Sequence, residues 1–275
     1  MPIPVELDLG ASVGGWLASA RPLPTGWQRG IAFPDTACLA PVSMGECPTG
    51  SNLKPGQRTD TAEFRPFSVI MAVECSTIGG YDVKAAAANG LLQTADYAIA
   101  SELLTGAASA RDINPDPDIS PNPSLVGTAT TLGAGFASVA GAVACLEQEL
   151  MAATFGRGGV LLVGADMATW LLDERVIWRD GARWRTASGN LVIVSAGFDG
   201  RAPGATAPPD PTDPLYIYAT AGVWAGVGTA DSVDDVNRSV NTATSRAEQF
   251  ALAAFSPCAV FAAASTAAVK CDGSP

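Results

Sequence analysis

The sequence predicts an α+β chain carrying one insertion. Three observations lead there. A β-rich apolar run, FSVIMAVEC, feeds a long helical stretch; a second helical seam follows a proline-rich break; and the remainder divides into short β-rich runs without the regular alternation of a doubly wound sheet. No internal repeat interrupts this order.

Residues 1–35 hold Pro2, Pro4, Pro22, Pro24 and Pro34 together with Trp16 and Trp27. Such a segment builds no core of its own and reads as an extended arm whose tryptophans need another surface. Residues 36–62 continue in turn chemistry, with Pro41, Gly45, Pro48, Gly50, Pro55 and Gly56, and read as a projecting loop or hairpin. Phe67 to Cys75 is the first clear strand. From Asp82 to Gly106 the chain reads as one helix against which the rest packs. Asp82 is placed to cap it, no proline interrupts Lys84 to Leu104, and Gly106 stands where a helix stops. Ala88, Leu92, Ala95, Ile99 and Leu103 recur at threes and fours along one face, with Asn89, Gln93 and Asp96 on the other. The rod is roughly 30 Å long at about 1.5 Å per residue.

Residues 112–123, DINPDPDISPNP, form a loop. Gly135 to Phe155 then reads as a second helix. Phe136, Val139, Val143, Leu146, Leu150 and Ala153 make a narrow, heptad-like seam suited to packing on one other helix, and Gly156, Gly158 and Gly159 end it. Val160 to Val163 is a short buried strand, Ala165 to Asp173 a third helix, and Val176 to Arg185 a hairpin around Asp180-Gly181. Leu191 to Ser195 is a strand; 201–214 is a second proline-rich loop. Leu215 to Thr220, Val223 to Val227 and Val233 to Val240 are further strands. Glu248 to Phe255 and Ala259 to Ala264 read as two strands joined by a turn at Ser256-Pro257. A helical start at Thr244 is equally compatible, because alanine fits both periods.

Composition narrows the function. The 275 residues suit one elaborate domain or two, and hydrophobic residues make up 48% against 16% charged, below the usual quarter. That balance implies surface covered by other copies, or else an alanine-rich genome. The net charge of −11 disfavours gripping a phosphate backbone. No apolar run reaches the ~18 residues of a membrane span, and the acidic start MPIPVELDLG lacks a basic n-region. Cys38, Cys47, Cys75, Cys145, Cys258 and Cys271 show no CxxC spacing and read as mostly buried thiols; Cys38 and Cys47, the one near pair, leave a disulfide open. Histidine is absent, which removes Ser-His-Asp and Cys-His chemistry and histidine metal sites.

The remaining motifs carry little chemistry. Gly10-Ala11-Ser12-Val13-Gly14 matches the nucleophile elbow but has no histidine partner. Asp116, Asp118, Ser120 and Asn122 alternate like a calcium loop without its glycine and glutamate, which favours a solvated loop. The glycines 133, 135 and 141 have the wrong spacing for a dinucleotide site, and Asn237-Arg238-Ser239 is a bare glycosylation triplet. Glu147/Glu149 and Asp234/Asp235 are the pairs a carboxylate-dependent hydrolase could use, and both read more simply as solvated charges. Arg175, Trp178, Arg179, Arg183, Trp184 and Arg185 form the one basic-aromatic patch. It reads as a hairpin surface meeting acids of a neighbouring copy, with polyanion binding as the alternative. No catalytic, cofactor or metal residue is therefore assigned.

The order of these segments resembles the tailed-bacteriophage major capsid proteins of the Hong Kong 97-type fold. FSVIMAVEC and the helix ending Glu102-Leu103-Leu104-Thr105-Gly106 are similar to that family's peripheral strand and spine helix. VLLVGADMATWLLDERVIWRDGARW and ASGNLVIVSAGFDG resemble its axial segment, with the family's strand proline replaced within Gly189 to Val194. RAEQFALAAFSPCAVFAAAS resembles its paired closing strands. The resemblance implies an N-terminal arm (1–35), an extended loop (36–66), a peripheral domain with the spine helix (67–159), an axial domain (160–245) and closing strands (246–275). It implies a self-assembling icosahedral head shell of hexamers and pentamers, assembled in the host cytoplasm. The shell would enclose double-stranded DNA by weak contact, with scaffold, portal and decoration proteins as further partners and no membrane. An encapsulin-like compartment would share the fold, and a tail or decoration protein would bind a shell without forming one. Some relatives cross-link through a lysine of the extended loop, and Lys54 lies in the matching region.

Overall fold

The computed structural model describes residue 17 and residues 19–34, 61–76, 82–112, 120–238 and 242–268. In chain order the strands and helices are β1 (Ile31–Pro34), β2 (Thr61–Phe64), β3 (Phe67–Ser76), α1 (Val83–Thr105), α2 (Ala107–Asp112), α3 (Leu125–Thr128), β4 (Thr130–Phe136), α4 (Val139–Ala153), β5 (Val160–Val163), α5 (Ala165–Asp173), β6 (Ile177–Asp180), β7 (Arg183–Thr186), β8 (Leu191–Val194), β9 (Leu215–Thr220), β10 (Val223–Arg238), β11 (Thr242–Phe255) and β12 (Val260–Ser265).

Two sheets organise the fold. The first is antiparallel, in the order β10-β11-β3, and α1 lies across it. Its pleat sorts β3 cleanly: Phe67 and Val69 are buried, while Ile70 and Glu74 face outward. The Asp82 carboxylate caps α1 by accepting the N–H groups of Lys84 and Ala85, and Gly106 ends it at φ +68. Ala95, Ile99 and Leu103 are buried as the periodicity requires. At the start of the helix the buried positions are Ala87 and Leu91; Ala88 and Leu92 are half-buried. Alanine on both sides leaves the sequence unable to fix that rotation.

The second sheet has seven strands in the order β4-β12-β9-β5-β8-β7-β6, with β5–β8 and β12–β4 parallel. Both faces are covered, which explains the unbroken apolar run of β5. Leu162, Ile193, Tyr218 and Ala262 face the core shared with α1. Leu161, Val192, Ile217 and Ala263 face a second core under α4 and α5. Gly197 lets the chain after β8 reach α1, since a Cβ there would stand 2.5 Å from the Tyr97 carbonyl oxygen and 2.7 Å from the Ala100 Cβ.

The sheets are joined twice at one place. β9 passes to β10 through Ala221 and Gly222, and β11 passes to β12 through residues 256–259. The Ser256 N–H donates to the Gly222 carbonyl at 3.0 Å, and the Thr220 hydroxyl donates to the Ser256 carbonyl at 2.8 Å.

Several expectations are corrected. Residues 130–136 form β4, so Phe136 belongs to a strand, and α4 begins at Val139 behind a Ser138 cap. The α4 seam packs on the seven-stranded sheet instead of on one helix, using Val139, Val143, Leu146 and Leu150. Val223 to Val227 and Val233 to Val240 are not separate: one bulged strand, β10, runs through Arg238. Residues 244–255 are strand, and β11 does not pair with β12. β11 lies between β10 and β3, while β12 lies between β4 and β9. The hairpin turn is Gly181-Ala182, with Asp180 opposite Arg183 and Gly181 at φ +61. Trp27 needs no foreign surface: it is buried in the core of its own chain. Cys258 is exposed and disulfide-bonded, against the buried-thiol reading, whereas Cys145 is a half-buried thiol. Trp16, Lys54, Cys38 and Cys47 lie outside the described residues.

Candidate functional site

Two buried carboxylates serve as braces. Glu102, in the last turn of α1, accepts the N–H groups of Ala108 (2.6 Å) and Ser109 (3.2 Å) and the Asn122 amide (3.4 Å). Asn122 also exchanges hydrogen bonds with the backbone of Arg65, accepting its N–H and donating to its carbonyl. It is a buried tie and not part of a solvated loop. Glu147, on α4, accepts from the Thr186 hydroxyl, the Ser188 hydroxyl (2.9 Å) and the Asn190 amide (2.8 Å). Glu149, two positions on, cannot share its face, because residues two apart on a helix diverge. The side chains of Asp234 and Asp235 lie outside the described residues, as does the Gly10–Gly14 motif.

Among the described residues no group of three or more His, Cys, Asp and Glu is placed to hold a metal ion, and no helix is long and apolar enough to cross a membrane. Asp199 and Arg201 pair and brace the loop before β9, where the Tyr218 hydroxyl donates to the Arg201 carbonyl at 2.8 Å. The hydrogen bond that Arg201 donates to the Asp199 carboxylate raises the Arg201 pKa, and burial raises that of the Tyr218 phenol.

A groove of about 870 Å³ opens at one end of the seven-stranded sheet. Arg21, Arg157, Arg183 and Arg185 line it, and among the described residues no aspartate or glutamate does. Four cations of a chain of net charge −11 gather there, one of them, Arg185, paired with Asp180. The four arginines come from three places. Arg21 is stitched to β10, its N–H donating to the Val223 carbonyl at 2.9 Å, and its guanidinium lies 5.2 Å from the Trp224 ring centroid. Arg157 follows α4 in a turn where Phe155 and Gly156 take φ of 53 and 82. Arg183 is exposed on β7. Arg185 is held by Asp180 at 2.9 Å and by the Gly189 carbonyl at 2.8 Å. The Glu147 brace builds the floor, because Ser188 and Asn190 line it and the Asn190 oxygen accepts the Gly159 N–H at 2.8 Å.

No family model and no curated protein matches the sequence. Solved structures do match. A chain of the "capsid of empty GTA particle" aligns with a TM-score of 0.55 at 13% identity, covering 92% of this chain and 90% of that one. A chain from Gordonia phage Cozz gives 0.53 at 10% identity, with 90% and 85% covered. A chain from Mycobacterium phage Ogopogo gives 0.51 at 16%, with 92% of each covered. The chain has the Hong Kong 97-type capsid fold. At these identities the likeness is one of fold, and it spans nine-tenths of this chain.

Within that capsid fold the basic-aromatic patch splits. Arg183 and Arg185 turn into the groove, while Trp178 stands 45% exposed and Arg179 stacks on Trp184 at 5.9 Å. Arg21 and Arg157 escaped the sequence reading because they are isolated in the chain and meet the hairpin only in space.

Proposed function

We propose that the chain is a major capsid protein that self-assembles, through hexamers and pentamers, into an icosahedral head shell around double-stranded DNA. The observation that carries this is the likeness to the GTA capsid chain over nine-tenths of both molecules. The surface supports it. Tyr97, Phe155, Trp178 and Phe250 are all 45% or more exposed and come from four separate elements or turns, as a tile touched by several neighbours requires. The acidic balance suits a wall that contains packed DNA with weak contact. This role assigns no catalytic residue, and Glu102 and Glu147 serve in it as structural braces.

Residues 1–35 would be the arm and 36–66 the extended loop. The packing of α1 on β3, β10 and β11 supports reading these as the peripheral unit, and the packing of α4 and α5 on the seven-stranded sheet supports reading that group as the axial unit. Assembly would occur in the host cytoplasm, with scaffold, portal and decoration proteins as further partners.

The test is expression of the full chain, with negative-stain microscopy and sedimentation. Closed shells of uniform size are expected. Persistent monomers at micromolar concentration would overturn the reading.

A further inference from the structure

We infer that residues 3–9 of this chain seat as an extended strand in the groove at the end of its own seven-stranded sheet, with their acids against Arg21 and Arg183. The inference goes beyond the shell reading and does not depend on it.

The segment has the pattern such a seat requires. In Ile3-Pro4-Val5-Glu6-Leu7-Asp8-Leu9 the odd positions are apolar and Glu6 and Asp8 fall between them, the alternation of a strand with one buried face. Pro4 stands on the polar side, where an edge strand tolerates it. No lysine or arginine precedes Arg21, so the segment carries acids alone. A row of four apolar side chains leaves water only against a matching surface.

The groove offers both kinds of contact. Met151 is exposed in its wall, and Leu191 and Trp224 are half-buried there. Arg185 is taken by Asp180, but among the described residues no carboxylate pairs with Arg21 or Arg183. A guanidinium is a directional partner for a carboxylate.

The tether selects this segment over the other acidic stretches of the chain. Ser19, Ala20 and Arg21 line the groove, and Leu17 packs on the core beside them, so residues 1–16 set out from the groove wall. Leu9 lies eight residues before Leu17, within about 28 Å of it at full extension. Gly10, Gly14 and Gly15 fall in the joining stretch and let it fold back. A strand on so short a tether meets its seat at an effective concentration of about a millimolar, well above that of a second copy in dilute solution.

The test is amide hydrogen exchange of the full-length chain, read by mass spectrometry. A synthetic peptide of residues 1–16 is the unseated reference, with circular dichroism and melting as folding controls. In the parent, the amides of residues 5–9 should exchange at least about tenfold more slowly than in the peptide. E6K/D8K and R21E/R183E should each remove that protection, and the quadruple variant, in which the charges are exchanged, should restore it. R183E alone changes an exposed hairpin residue and should lower the protection at least about threefold, which decides the matter if R21E disturbs the arm. Dilution should leave the parent's protection unchanged. The inference is overturned if the parent segment exchanges at the peptide's rate, if either double variant or R183E stays fully protected, or if the charge exchange restores nothing. Protection that falls on dilution also overturns it, because the segment then sits on a second copy. Shells with an unprotected segment would remove the inference and leave the shell reading. Monomers with a protected segment would do the reverse.

Discussion

The Glu147 carboxylate accepts the Asn190 side-chain amide at 2.8 Å across 43 residues of chain. The bond ties α4 to the entry of β8, and through the Asn190 oxygen to the entry of β5. Thr186 and Asn190 are buried, so their donors have no water to turn to once the carboxylate is gone. E147A should cost about 3 kcal/mol, several buried donors being left unmet, and E147Q about 1 kcal/mol because the amide oxygen keeps part of the set. Urea denaturation of the two variants against the parent measures the difference.

Glu102 closes the α1–α2 corner in the same manner. Its carboxylate covers the N–H groups of Ala108 and Ser109, which α2 itself leaves unbonded. In E102A those two amides should lose hydrogen-exchange protection by about tenfold or more, equivalent to about 1.4 kcal/mol. The amides of Ile99 and Leu103 should keep theirs.

Glycine substitutions should separate crowding from backbone strain. A Cβ at Gly159 would stand 2.3 Å from the Thr220 carbonyl oxygen, and one at Gly197 would meet the Tyr97 carbonyl and the Ser101 nitrogen within 3 Å. Both obstacles are backbone, so G159A and G197A should each lose about 3 kcal/mol or fail to fold. G181A meets nothing within 4 Å but must hold φ at +61, and about 1 kcal/mol is expected. Thermal melts of the three rank them.

Tyr218 gives a pH dependence with a definite sign. Burial raises its phenol pKa above the ordinary value of 10.0, so above that pH the unfolded chain sheds a proton the folded chain keeps. The stabilisation is complete below pH 10 and falls as pH rises toward the folded value. Melting temperature should fall as pH rises above about 10 in the parent, and less steeply in Y218F. At pH 8, Y218F should lose about 1 kcal/mol for its missing bond to the Arg201 carbonyl.

Local sequence was a good guide where punctuating residues are distinctive. The bounds of α5 and β9 and the caps of α1 follow from residues that have one stable use: Asp82 before the helix, Gly106 after it. It was a poor guide where alanine dominates, as in α1 and β11, because a small apolar side chain suits either period and either face. Strand partners were not legible at all. Nothing between Phe255 and Val260 announces that the chain changes sheets, since that depends on β3, β4 and β9 offering edges from far along the sequence. The groove was half legible: Arg183 and Arg185 stand in an obvious cluster, and only the folded arm and the α4 exit bring Arg21 and Arg157 beside them.

The paired crossings at Gly222 and Ser256 have a mechanical consequence. Two connectors bonded side by side pin the sheets at one edge, while the apolar core they share under α1 holds the angle between them. Load placed on one sheet is therefore passed to the other through covalent chain and packed side chains together.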